Sequence, residues 1–121
     1  MKISFDFDST LSRDDIQQIA DDFIMRGHDV HITTSRHESN KWVQPNLTHN
    51  HDLFKIAEEL GIPMESIHFT EMKDKVEFLE GFDMHFDDDE FEIDLITRSE
   101  ITCLGILINY KNYVLDLKSG D

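Results

Sequence analysis

Between residues 2 and 109 the hydrophobic period of this chain switches repeatedly between two residues and 3.6, and few architectures tolerate that alternation. In KISFDF, Ile3, Phe5 and Phe7 alternate with Lys2, Ser4 and Asp6, as in a strand, and by that parity Asp6 and Asp8 leave on the same side. Residues 12–27, SRDDIQQIADDFIMRG, then place Ile16, Ile19, Ala20, Phe23 and Ile24 on one helical face. Ser12 with Asp15 three residues on suits a capping box, and Gly27 a C-terminal stop. HDVHITTSR reads as a second strand built on Val30 and Ile32, DLFKIAEELG as a second helix ended by Gly61, and SIHFT as a short third strand. DKVEFLEG reads as a short helix, DMHFDD as a fourth strand carrying Met84 and Phe86, and EFEIDLITR as a weaker helix. ITCLGILIN is apolar enough for a strand covered on both faces, and NYVLDL suggests a further edge strand.

Strands alternating with helices predict an α/β fold of the three-layer, Rossmann-like kind, a mainly parallel sheet with right-handed crossovers and helices on both faces. The 121 residues suit a single domain, 1–121, and the 39% of hydrophobic residues, nine Phe among them, suffice for its core. Residues 37–50 lack any sustained period and contain Pro45, which predicts one long loop. Trp42 within it reads as a cover for a site or as a loop anchor, and His37, His49 and His51 as exposed loop residues, since their spacing matches no closed zinc site. His31 and His68 lie in strands and read as packed side chains.

Twenty-six Asp and Glu against 11 Lys and Arg give a formal charge of −15, which opposes unassisted binding to a nucleic-acid backbone or an anionic membrane. The single Cys103 lies in an apolar run and reads as a buried thiol in a reducing compartment. No basic-plus-apolar leader and no apolar run approaching about 20 residues is visible, so the expected location is cytoplasmic.

In open parallel sheets the ligand crevice lies beyond the carboxyl ends of the strands, so the residues just after each strand are the ones able to converge. Strand one ends in Asp6 and Asp8, and strand two in Thr33, Thr34, Ser35 and Arg36. Strand three leads to Lys73 and Lys75, and strand four ends in Asp87, Asp88 and Asp89. Carboxylates gathered in a partly dehydrated crevice raise one another's proton affinity and call for a cation, and oxygen ligands without clustered Cys or His favour Mg²⁺. The amine and hydroxyls nearby suit phosphoryl oxygens.

DFDST resembles the D-x-D-x-T signature of the haloacid dehalogenase superfamily, ITTSR its second motif, MKDKVEFL its lysine motif and HFDDD its terminal acidic motif, in the family's order over residues 6–89. The resemblance implies a Mg²⁺-dependent phosphohydrolase, a phosphomonoesterase working through an aspartyl phosphate on Asp6. It implies that Asp8 protonates the leaving group and activates water, with its backbone carbonyl on the metal, that Thr34 binds phosphoryl oxygens, and that Lys75 neutralises nucleophile and phosphate. Asp87, with Asp88, would complete a metal shell begun by Asp6 and Asp8. Lys73 competes with Lys75, Thr33 with Thr34, and the run of three aspartates leaves the ligand open by one position. Helix one follows DFDST almost at once, so the chain resembles a capless, minimal member, and its substrate would be a phosphorylated small molecule or macromolecule.

Two other classes compete with the enzyme. One is a catalytically silent binding or interaction module on the same fold. The other is a phospho-accepting, receiver-like signalling domain, which would carry its acceptor aspartate at the end of the third strand, where SIHFT has none.

Overall fold

The structure is a computed structural model that describes residues 1–38 and 49–108. Its elements are β1 (Lys2–Phe5), α1 (Asp14–Met25), β2 (Asp29–Thr34), α2 (His51–Leu60), β3 (Ile67–Phe69), β4 (Met84–Asp87), α3 (Glu90–Arg98) and β5 (Leu104–Leu107). The five strands form one sheet in the order β3-β2-β1-β4-β5, and every pair is parallel. This is an α/β fold with a Rossmann-like three-layer arrangement. The order reverses direction beside β1, so the carboxyl ends of β1 and β4 flank the crevice that such sheets use for ligands.

The two faces of the sheet differ in chemistry. Ile3 and Phe5 of β1, Val30 and Ile32 of β2, Ile67 of β3 and Phe86 of β4 form one core with Ile16 and Ala20 of α1 and Leu53 and Ala57 of α2. Phe5 stacks on Phe86 at 4.7 Å, with Phe23 tilted against both. Each such fully buried side chain is worth about 1.5–3 kcal/mol, so most of the apolar stabilisation lies on this side. The opposite face carries Ser4, His31, Thr33, His85 and Asp87, brought side by side because Ser4 is in register with both His31 and His85. A smaller apolar cluster of Leu79, Phe82, Ile96 and Cys103 packs on that side. There α3 comes so close that a Cβ on Gly105 would lie 3.3 Å from the Ile93 side chain.

Three local expectations give way. Ser12 does not open a capping box: α1 begins at Asp14, and the Ser12 hydroxyl accepts the Ser9 backbone N–H at 3.1 Å. The reason is a separate turn over Phe7–Leu11, in which Ser9 takes φ 60° and which Ser12 braces. The segment DKVEFLEG forms only a 3₁₀ turn over Lys75–Phe78. Among the described residues β5 is the edge of the sheet and is not covered on both faces, with Leu104 59% and Leu107 44% exposed. Apolarity of the segment reported a strand, whereas cover depends on its place in the strand order. Residues 39–48, with Pro45 and Trp42, and residues 109–121, with NYVLDL, lie outside the described residues. No helix among the described residues is long and apolar enough to cross a membrane.

Candidate functional site

β1 ends at Phe5, and the Asp6 backbone N–H still bonds Phe86 O of β4 at 2.8 Å, which fixes Asp6 beside the end of β4. Asp87 is the last residue of β4, and both carboxylates are buried. Lys75 reaches them from the other side of β2. The loop after β3 is clipped to the end of β2 by Glu71 N–H to Arg36 O (3.2 Å) and Met72 N–H to Ser35 O (2.9 Å). Glu71 and Met72 both take left-handed φ values, 54° and 71°, and such strain in two successive non-glycine residues persists only where the surroundings impose it. That reversal buries Lys75 and leaves Lys73 exposed. The Glu92 carboxylate of α3 accepts the Lys75 backbone N–H at 2.9 Å.

The Lys75 ammonium then donates to Asp6 Oδ1 and to Asp87 Oδ2, both at 2.7 Å. The Thr10 hydroxyl lies 3.3 Å from Asp6 Oδ2 and 3.3 Å from Asp88 Oδ1, tying the half-buried Asp88 to the pair. One oxygen from each of Asp6, Asp87 and Asp88 lies within 4.8 Å of the others. Asp89 stands apart as the N-cap of α3, accepting Phe91 N–H at 2.9 Å. Of the residues read from the sequence, Asp6, Lys75, Asp87 and Asp88 thus share one cluster.

Asp8 and Thr34 have other partners. Both Asp8 oxygens accept from Arg36, Oδ1 from Nη2 at 2.7 Å and Oδ2 from Nε at 3.0 Å. The same guanidinium holds both oxygens of Asp52 in the first turn of α2 and stacks over the Phe7 ring. Asp52 lies well below the usual carboxylate range because of those hydrogen bonds, and Arg36 is raised by Asp52 and Asp8 in turn. Thr34, fully buried, accepts the Arg36 backbone N–H at 3.2 Å. His37 O accepts from His49 Nε2 and Asn50 Nδ2, both at 2.8 Å, so the His49 ring bonds backbone here, and His51, read as a loop residue, is instead the first residue of α2.

Burial, followed by the Asp87 carboxylate, pushes Asp6 up to about 8 although Lys75 works against it. Asp87 goes the other way: burial raises it, but the hydrogen bond from His85 and the charge of Lys75 outweigh burial. Lys75 is raised in turn, its burial overcome by Asp6 and Asp87. The protein therefore resists ionising Asp6 beside the Asp87 carboxylate, although both face the Lys75 ammonium. A divalent cation would supply what is missing, and the donor set, carboxylate oxygens with no sulfur or free imidazole, fits a hard ion of the Mg²⁺ class.

Two contributors, Ser4 and His85, escape the motif reading, in which Thr33 is only an alternative to Thr34. His85 lies between Asp87 Oδ2 (2.8 Å from Nε2) and Ser4 Oγ (2.9 Å from Nδ1), and Ser4 continues to Thr33 Oγ1 at 2.7 Å. Burial holds His85 below the ordinary imidazole value. The signal was present: Ser4, Thr33 and His85 alternate with the apolar residues of their strands, so the pattern marks one polar face. Thr10, the last residue of DFDST, lies within the first motif but has no role in that reading. His31 and His68 pack as a stacked pair with rings 5.2 Å apart. Comparison with protein-family models, curated proteins and solved structures gave no match.

Proposed function

We propose that this protein is a capless phosphohydrolase of the haloacid dehalogenase type, hydrolysing a phosphomonoester with Mg²⁺ through an aspartyl phosphate. The observation that carries the reading is the sharing of one ammonium, Lys75, by carboxylates at the ends of two adjacent parallel strands, with a third carboxylate in reach. DFDST, ITTSR, MKDKVEFL and HFDDD support it from the sequence.

In this reading an Asp6 oxygen attacks phosphorus, the bond to the leaving oxygen breaks, and that oxygen takes a proton from Asp8. Asp8, now a carboxylate, then removes a proton from water, whose oxygen attacks phosphorus and breaks the Asp6–phosphorus bond, releasing phosphate and restoring the Asp6 carboxylate and the Asp8 carboxylic acid. Lys75 together with the bound ion would hold Asp6 ionised beside the incoming phosphoryl group, and Thr34 at the end of β2 would bind the phosphoryl oxygens. Asp6, Asp87 and Asp88, with the Asp8 backbone carbonyl, would hold Mg²⁺, which would supply positive charge to the phosphoryl oxygens. Since Arg36 donates to both Asp8 oxygens, Asp8 must first leave that partner and take a proton from solvent before it can donate one to the leaving group. The substrate is a phosphorylated small molecule or macromolecule, and a buried, unpaired Cys103 suits the cytoplasm.

Hydrolysis of an aryl phosphate with and without Mg²⁺ tests the reading. Turnover should require the ion, and Asp8→Ala should lower it by about 10²–10⁴-fold, the usual contribution of a positioned acid and base. An Asp8→Ala protein with unchanged turnover would remove Asp8 from the chemistry. The engagement of both Asp8 oxygens by Arg36 favours a second reading, a binding module that keeps the fold and the ion without turnover. Mg²⁺ uptake with no hydrolysis at any pH is its signature. A receiver is disfavoured, because β3 runs into Thr70 and not into an acceptor aspartate.

A further inference from the structure

The sheet face beneath the carboxylates is the least expected feature of the core. A parallel sheet covered by helices is ordinarily apolar on both faces, yet three adjacent strands here bury Thr33, Ser4 and His85, all inaccessible to solvent. Apolar residues of similar volume would stabilise the fold at least as well, since a net hydrogen bond contributes only about 1 kcal/mol and an unmade one costs more. The polar residues are therefore informative about function.

Their hydrogen bonds run in one direction only. The ionised Asp87 carboxylate can accept but not donate, so His85 Nε2 carries the proton that bridges the 2.8 Å to Oδ2. His85 Nδ1 is then bare and accepts the Ser4 hydroxyl at 2.9 Å, which leaves Ser4 Oγ to accept the Thr33 hydroxyl at 2.7 Å. With the imidazole neutral, no alternative arrangement satisfies all four groups. At the far end, Asp87 Oδ2 receives His85 and Lys75 together, while Oδ1 accepts the Asp89 backbone N–H at 3.0 Å. Donors on both oxygens fix the plane of the carboxylate and leave a lone pair of Oδ1 for an ion.

We propose that His85 is a positioning residue, held in one tautomer by Ser4 and Thr33, and that it orients Asp87 for Lys75 and for the divalent cation. This rests on the phosphohydrolase reading for the identity of the ion. Outer groups of this kind typically contribute about 10–100-fold to metal affinity.

Two measurements on the full chain test it without turnover. Long-range ¹H–¹⁵N correlation spectra of the metal-free protein should show His85 only as the Nε2–H tautomer, and Ser4→Ala should lose that purity. Calorimetric Mg²⁺ titration should give an affinity about 10–100-fold weaker for His85→Asn, whose amide meets Ser4 but falls short of Asp87. His85→Gln, which can place an N–H near the Nε2 position, should stay within about threefold of wild type, and Ser4→Ala should lose about tenfold. If His85→Asn does not fold, Ser4→Ala supplies both readouts. An Nδ1–H tautomer in wild type, or Mg²⁺ uptake by a folded His85→Asn equal to wild type, overturns the inference alone. A wild-type protein that takes up no Mg²⁺ overturns the metal reading and this inference with it.

Discussion

Asp6→Asn should abolish hydrolysis while making the metal-free protein less sensitive to a rise in pH towards 8. The amide has nearly the shape of the carboxylate and can still accept from Lys75, but it is a poor nucleophile. We expect kcat to fall by at least about 10³-fold, a modest share of the roughly 10⁶-fold that loss of a covalent nucleophile can cost. The pH effect follows from the position of Asp6 between burial, Asp87 and Lys75. Its carboxyl is raised from 3.8 to about 8 in the folded chain, so between those values the folded state holds a proton that the unfolded state has released. That contribution is complete below about pH 4 and is lost as pH rises through 8. Asp87 acts oppositely, its lowered value contributing stability that is lost as pH falls below the ordinary carboxylate range. Melting temperature measured from about pH 5 to 9 without divalent ions should therefore fall from about pH 5 to about 8 in wild type and level off above it. The fall should flatten in Asp6→Asn, which has no proton to lose, and in wild type with Mg²⁺, which favours the ionised carboxylate. Parallel pH profiles for wild type and Asp6→Asn would show that Asp6 is not the group under strain, and turnover near the wild-type rate would reject it as the nucleophile.

The same cluster shows where sequence reading succeeds. Asp6 and Asp87 could be placed together because alternation predicts a parallel sheet and because such sheets gather ligands at their carboxyl ends, a rule of topology that needs no side-chain detail. Lys75 and Lys73 could not be separated that way. They are two residues apart in a segment without period, and what buries one is a reversal through left-handed Glu71 and Met72, clipped to the backbone of residues 35 and 36. The pairing of Asp8 with Arg36 and Asp52 was equally hidden, since it joins the turn after β1, the end of β2 and the start of α2 through one guanidinium. The polar face of Ser4, Thr33 and His85 was legible in principle. Each strand that carries it alternates polar with apolar residues, and a strand apolar on one side only, in the middle of a two-sided sheet, calls for an explanation of its other side.

Lys75→Met should produce the largest loss of stability of any single change in the site. Lys75 is 3% exposed and its ammonium lies 2.7 Å from each of two buried carboxylates, so at a pH above about 8, where Asp6 is ionised, its removal leaves both uncompensated beside Asp88. Breaking a buried ion pair from one side costs about 3–5 kcal/mol, and in a domain of this size that lowers the melting temperature by about 10–25 °C. The cost arises from stranded charge and not from lost packing, and this separates it from an ordinary core substitution. Lys75→Met/Asp6→Asn should therefore be more stable than Lys75→Met alone, with a coupling of about 1 kcal/mol or more in a double-mutant cycle. Mg²⁺ should raise the melting temperature of Lys75→Met by more than it raises wild type, because the ion then faces three carboxylates with no competing ammonium. Additive single effects, or a Lys75→Met protein that melts within about 3 °C of wild type, would mean that the two strand ends are not electrostatically joined through Lys75. The chemistry proposed for Asp6 would then lose its geometric basis, whatever the enzyme assays gave.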